Sequence, residues 1–276
     1  MKPAEVPAPP VLPSPLPSRT GGRGNPRGSL YLVPNTLDFG TDGELPPIDD
    51  VLPASVIRTA ARLTHWIAEN AKTTRAFLKR VDAVMPLAQA LQALVIVELP
   101  RPRKGTRDAP AADLGALLAP ALQGHDIGLI SEAGLPAVAD PGAALVQAAH
   151  AAGIAVTALA GPSSLLLALA ASGLNGQSFA FVGYLPVEAA ERGARIRELE
   201  ALSLRIGQTQ LMIETPYRNA ALLGALLTHL QPGTRLSVSC GLTLPGGYTR
   251  TDTVQAWKAR PATLPADVPA VFSLLA

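Results

Sequence analysis

The chain has a single cysteine, Cys240, among its 276 residues. An intrachain disulfide is therefore excluded, and the composition fits a reducing compartment. The four histidines are scattered, with no His-x-x-x-His and no cysteine pair, so no metal site is expected. A Walker A lysine loop, a GxGxxG turn and a G-x-S-x-G elbow are all missing. Those absences set aside P-loop hydrolysis, Rossmann-type dinucleotide binding and serine hydrolase chemistry. Aromatics make up only 4% of the residues, which leaves a core to be built mostly from Ala, Leu and Val. No apolar run reaches membrane-spanning length without Gly, Pro or charge, so no membrane segment is expected. The N-terminus has prolines where a signal peptide needs an apolar stretch, and a cytoplasmic location follows as the expectation.

What is abundant is apolar residues, at 48% of the chain, enough for one large domain or two small ones. Proline is concentrated at one end. Residues 1–27 hold eight prolines and Lys2, Arg19, Arg23 and Arg27 against the lone acid Glu5. This composition predicts a disordered or polyproline-like tail. The whole chain carries +2 and the tail +3, so the body from residue 28 carries −1. Charge gives no support to a broad nucleic-acid-binding face on the body.

The body is organised around residues 127–142. A buried apolar run, Ile-Gly-Leu-Ile, leads into the loop SEAGLPAVADPG and then a small-residue helix over 143–152. Gly134 and Gly142 let the backbone come close to a ligand or take a positive φ, and Pro136 and Pro141 stiffen the loop. Asp140, just before Pro141, is placed to cap the helix that follows. A second strand over 153–160 ends in Gly161-Pro162-Ser163-Ser164 and an apolar helix over 165–172. Two successive strands ending in Gly/Pro loops put both loops at one carboxyl edge of a sheet, where open α/β folds bind ligands. Such turns also serve as plain connections, and the pattern by itself leaves both roles open.

Elsewhere the pattern predicts strands at 29–33, 63–69, 94–98, 209–213, 236–240, 251–254 and 269–275. Helices are expected from Pro53 to 62, over 187–200 with mixed exposed charge, and over 220–230 before Pro232-Gly233. Arg101, Arg103, Lys104 and Arg107 form the one dense basic stretch of the body. It is either a solvated loop or a phosphate contact. Glu69, Lys72 and Arg75 stand near the end of the 63–69 strand, as solvated surface or as substrate contacts.

SEAGLPAVADPG, the GPSS loop and LNGQSFAFVGYLP (174–186) together resemble the tetrapyrrole-methylase-type (class III) S-adenosylmethionine-dependent methyltransferases. Within that class the branch most similar is that of the 16S rRNA (cytidine-2′-O)-methyltransferases. The resemblance runs from about residue 30 onward. It implies an α/β fold of two domains, 28–162 and 163–276, with S-adenosyl-L-methionine in the cleft between them and a homodimer as the assembly. Carried over position by position, Pro34 lies in the first loop, and Ser131, Glu132, Ala133, Gly134, Leu135, Pro136 and Val138 hold the methionine moiety and ribose. Gly161, Pro162, Ser163 and Ser164 form the second loop, and Ile213, Glu214 and Thr215 lie beside the adenine. The resemblance sets Glu69, Lys72 and Arg75 in a stretch of candidate substrate contacts, and the charge run Arg101, Arg103, Lys104 and Arg107 would be the phosphate contact if the acceptor is RNA. This chain has Glu132 and Leu135 where the branch has Asp and Thr, and Cys240-Gly241 where it has an Arg-Glu pair. No catalytic residue is assigned. Methyl transfer from a sulfonium mainly needs in-line alignment, which backbone and small residues supply. A small-molecule acceptor such as a tetrapyrrole, or a cofactor-binding protein without catalysis, remains open beside the RNA enzyme.

Overall fold

A computed structural model of the chain describes residues 27–38, 45–100 and 114–276. The tail over 1–26 and the basic stretch Arg101, Arg103, Lys104 and Arg107 lie outside the described residues.

The first sheet is wholly parallel, in the order β3-β2-β4-β1-β5. Its strands are β1 (Ser29–Leu32), β2 (His65–Ala68), β3 (Val95–Glu98), β4 (Ile127–Ile130) and β5 (Ala155–Ala158). All four residues of β4 are buried, as a strand covered on both faces requires. Gly128 is needed there because a Cβ would lie 2.7 Å from two ring carbons of Trp66 in the neighbouring strand. One face is covered by α1 (Ile48–Val51), α2 (Ala54–Arg62) and α3 (Ala71–Val84), whose Ile57, Phe77, Leu78 and Val81 pack with Trp66. The other face is covered by α4 (Leu114–Leu117), α5 (Ala119–Leu122) and α6 (Ala143–Ala151), through Leu118, Ala121, Leu145 and Ala149.

The second sheet has the order β6-β7-β10-β8-β9 and is antiparallel except for the β6–β7 pair. Before it comes α7 (Ser164–Ser172), and its elements run β6 (Phe179–Phe181), α8 (Ala189–Ile206), β7 (Thr209–Glu214), α9 (Asn219–His229), β8 (Arg235–Cys240), β9 (Tyr248–Thr253), α10 (Val254–Ala259) and β10 (Ala270–Leu275). Its main core joins Ile196, Leu199, Leu226, Trp257 and Phe272 on one face. On the other, Leu165, Ala168 and Leu169 of α7 meet Leu211 and Val271. Trp257 is fully buried and its indole N–H donates to the Leu236 carbonyl at 2.8 Å. The helix α10 was not expected: Thr253 ends β9 and at once caps α10 by accepting from the Ala256 N–H, so no linker announces the change.

The two loops after β4 and β5 leave the same edge of the parallel sheet, since both strands pair with β1 in the same direction. The second sheet meets the first at that edge. No helix of the described residues is long and apolar enough to cross a membrane.

Candidate active site in the cleft between the sheets

The loop after β4 is shaped by its backbone. Gly134 (φ 65°), Ala137 (φ 66°), Ala139 (φ 65°) and Gly142 (φ 132°) all have positive φ. Glycine takes that conformation freely, but for each alanine it costs on the order of 1–3 kcal/mol and persists only where neighbours enforce it. Two side chains from other elements pin the first half of this loop. Asn35, buried in the loop after β1, donates through Nδ2 to the Ser131 carbonyl at 3.2 Å and the Glu132 carbonyl at 3.0 Å. Its backbone N–H donates to the Gly134 carbonyl at 2.8 Å. From the end of β2, Glu69 Oε2 accepts the Glu132 N–H at 3.0 Å. The Asn35 loop is itself braced by Arg80, whose guanidinium reaches Asp38, Thr36 and the Pro46 carbonyl.

This loop forms one wall of a cavity of about 400 Å³. The facing wall is built by Tyr184 after β6, the end of β7 with the turn after it, the β8–β9 turn at Ser239, Gly241 and Leu242, and the entry to β10 at Asp267, Pro269, Ala270 and Val271. Of the residues expected at the cofactor, Glu132, Ala133, Gly134, Leu135, Val138, Ser163, Ser164, Ile213, Glu214 and Thr215 line this cavity. Others stand behind it. Ser131 is buried, with its hydroxyl donating to the Ala133 carbonyl at 3.0 Å, and Pro136 is buried beneath the loop. Pro34 packs against Gly161, where a Cβ would run into the proline ring. Gly161 and Pro162 line a separate shallow depression with Asp50, Pro53 and Leu167. Of the substrate candidates, Glu69 lines the cavity while Lys72 and Arg75 are exposed on α3. Asp140 does not cap α6. That helix starts at Gly142 without a side-chain cap, and the positive φ at Ala139 turns the carboxylate into the cavity instead.

Five carboxylates line the cavity: Glu69, Glu132, Asp140, Glu214 and Asp267. No Lys, Arg or His is among its described lining residues. Glu214 is held by its own neighbours, with Oε1 accepting from the Thr215 N–H at 2.8 Å and Oε2 paired to Arg218 at 2.8 Å. Burial, then Glu69, pushes the Asp140 carboxyl up to about 6, with Glu132 adding to the effect and the Ser131 hydroxyl partly offsetting it. Burial raises the Tyr184 phenol as well, and Asp140, Glu214 and Glu69 raise it further. Among the described residues no group of three or more His, Cys, Asp or Glu is placed to hold a metal ion.

Asn35, Asp140, Tyr184 and the β8–β10 wall were not expected at the site. Asn35 carries no motif, Asp140 reads as a helix cap although it lies inside SEAGLPAVADPG, and the facing wall is assembled from four separate stretches between 184 and 271. Residues 55–256 match the family model of the tetrapyrrole (corrin/porphyrin) methylases. The chain belongs to that family.

As a tetrapyrrole methylase family member the chain has relatives of a consistent name. It is 40% identical over 147 residues to a protein of Mesorhizobium japonicum named ribosomal RNA small subunit methyltransferase I, covering 53% of this chain and 49% of that one. It is 38% identical over 201 residues to the protein of the same name from Xylella fastidiosa, covering 73% and 63%. To that of Coprothermobacter proteolyticus it is 36% identical over 157 residues, covering 56% and 68%. The chain thus spans about half to two thirds of the length of these relatives. The crystal structure of the methyltransferase CobJ superposes with a TM-score of 0.50 at 16% identity over 90% of this chain and 94% of that one, which shows the shared two-sheet fold.

Proposed function

We propose that the chain is an S-adenosyl-L-methionine-dependent methyltransferase acting on a cytidine 2′-hydroxyl of small-subunit ribosomal RNA. The observation that carries this reading is the acidic cavity, set between two Gly/Pro loops and free of cationic side chains among its described lining. Its volume falls in the range of about 300–1,000 Å³ usual for small-molecule sites. The carboxylates favour a positively charged ligand. S-adenosyl-L-methionine is one, and it supplies a methyl group activated on a sulfonium. In this reading Glu132 to Leu135, Val138, Ser163 and Ser164 hold its methionine and ribose, and Ile213 to Thr215 its adenine. Pro34, Ser131, Pro136, Gly161 and Pro162 keep those loops in shape from behind.

The RNA acceptor is supported by the names of the relatives. The acidic lining repels phosphate, so the RNA backbone stays outside, with Lys72, Arg75 and the stretch Arg101, Arg103, Lys104 and Arg107 as its counter-charge. The body's net charge of −1 and Cys240-Gly241 in place of the Arg-Glu pair keep a small-molecule acceptor as the alternative. The two domains are proposed to be 28–162 and 163–276, dividing in the loop between β5 and α7. The protein is further proposed to be cytoplasmic and a homodimer, with exposed Leu166 and Leu167 of α7 and Phe179 and Phe181 of the edge strand β6 available for pairing.

Calorimetry with S-adenosyl-L-methionine, followed by transfer of labelled methyl to small-subunit rRNA against a panel of tetrapyrrole precursors, tests the proposal. RNA labelling that weakens when Arg101, Arg103, Lys104 and Arg107 become Ser supports it. The salt dependence should then flatten by about 0.7–0.9 in log–log slope per lost contact. Absent cofactor binding removes the enzyme reading, and labelling of a precursor alone moves it to the small molecule.

A further inference from the structure

We propose that Asp140 is a catalytic residue whose carboxylate takes the proton of the acceptor hydroxyl during methyl transfer. This rests on the hydroxyl acceptor proposed above. The cavity's other carboxylates are placed differently. Glu69 is engaged by the Glu132 N–H, and Glu214 by Thr215 and Arg218. Asp267 is exposed at the start of the β10 wall, and Glu132 belongs to the loop that wraps the proposed cofactor position. Asp140 has neither a backbone N–H nor a cation for a partner among the described residues. Its one hydrogen-bonding neighbour among them is the Ser131 hydroxyl, which is shared with the Ala133 carbonyl 3.0 Å away.

The position of Asp140 is enforced. Ala139 is held at φ 65° and Pro141 follows, so the carboxylate cannot swing back to cap α6 without releasing the loop. The charged and titratable groups around it are Glu69 from β2, Glu132 from its own loop, and Tyr184 across the cavity with Glu214 behind it. None is cationic, and with burial the Glu69 and Glu132 carboxylates strengthen the hold of Asp140 on a proton, against the Ser131 hydroxyl. A base near the working pH is the effective kind, since it is ionised at rest yet accepts a proton readily. As the hydroxyl oxygen forms its bond to the methyl carbon, the carbon–sulfur bond of the sulfonium donor breaks and its electron pair stays on sulfur. The hydroxyl proton passes to the Asp140 carboxylate and later to water.

The test uses the full chain with labelled S-adenosyl-L-methionine and small-subunit rRNA, comparing wild type, Asp140→Asn and Asp140→Glu. For Asp140→Asn the expected result is a fall in kcat of about 100- to 1,000-fold, within the usual range for a lost general base. Cofactor affinity by calorimetry should fall by no more than about tenfold, because Asp140 is one of five carboxylates around the cofactor and the larger loss is in methyl transfer. The wild-type rate should show an acid limb near pH 6, absent from the residual activity of Asp140→Asn, with Asp140→Glu restoring part of the rate. With no ligand added, carbon-13 carboxyl NMR should show an aspartate titrating near 6 that the Asn variant lacks. An unchanged acid limb in Asp140→Asn, or a loss of cofactor affinity as large as the loss of rate, overturns the inference alone. Wild-type protein that binds the cofactor but methylates no RNA overturns the hydroxyl acceptor, and the inference with it.

Discussion

The two walls of the cleft are held by different means. The first is a loop with four positive φ values in nine residues, pinned from a distance by Asn35 and Glu69. The second stands on strand ends in a mainly antiparallel sheet, and its buried carboxylate Glu214 is satisfied by residues one and four positions along. A ladder of backbone hydrogen bonds fixes the second wall whatever its side chains do. The first wall has no such ladder. Its geometry depends on a few side chains supplied by other strands, so damage to those contacts should spread through the whole loop.

The largest break in the comparison is expected at Gly134. Its φ of 65° and the Leu37 and Pro162 atoms 3.3 and 3.5 Å from a Cβ leave little tolerance for a branched residue. Gly134→Val should weaken cofactor binding by at least about 100-fold, or about 3 kcal/mol, while the circular dichroism spectrum keeps its α/β shape. A variant that binds normally would mean that the loop only connects β4 to α6.

Next come Asn35→Ala and Glu214→Gln, compared directly. The first removes the donor to the buried Ser131 carbonyl and the part-buried Glu132 carbonyl and should lower stability by about 2 kcal/mol, or roughly 4–8 °C in melting temperature at this size. It should also cut cofactor affinity about tenfold. The second keeps the acceptor for Thr215 and loses only the ion pair to Arg218, whose side chain is 25% exposed. Its cost should be smaller, about 1 kcal/mol. Equal losses would remove the distinction between a remotely pinned wall and a locally held one.

Asp140→Asn sharpens the comparison through pH. A folded-state value of about 6, above the ordinary 3.8, makes ionised Asp140 a cost to folding near neutrality that fades as pH falls through 6 towards 4. The Asn variant should therefore melt a few degrees higher than wild type at pH 7.5, and the gap should close by pH 4. A gap that is flat with pH would show that the side chain carries no such burden. The smallest effect is expected from Lys72→Gln with Arg75→Gln. Both residues are exposed on α3 and outside either wall, so cofactor affinity should change less than about twofold.

The first wall was the more legible in the sequence. Buried apolar runs at β4 and β5, each ending in glycine and proline, signal the strand, the loop and the sheet edge in one continuous stretch. The family resemblance extended this to Ile213, Glu214 and Thr215. Asn35 was not legible because its importance lies in two carbonyls about 96 positions away. Asp140 was misread as a cap because sequence spacing carries no sign of φ at Ala139. Tyr184 and the β8–β10 turns reach the cavity only when the second sheet folds against the first. α10 was missed because Thr253 serves strand and helix at once.

The contact between Pro34 and Gly161 has a consequence for the history of the chain. A Cβ at 161 would lie 2.3 Å from both Cβ and Cγ of Pro34, so a side chain at 161 is tolerated only if position 34 gives way. A lineage that gains a side chain at 161 must first, or simultaneously, lose these atoms at 34 or move the backbone that carries them. In descendants of this sequence a side chain at 161 should therefore appear only where 34 or its backbone has changed, although 127 positions separate the two along the chain.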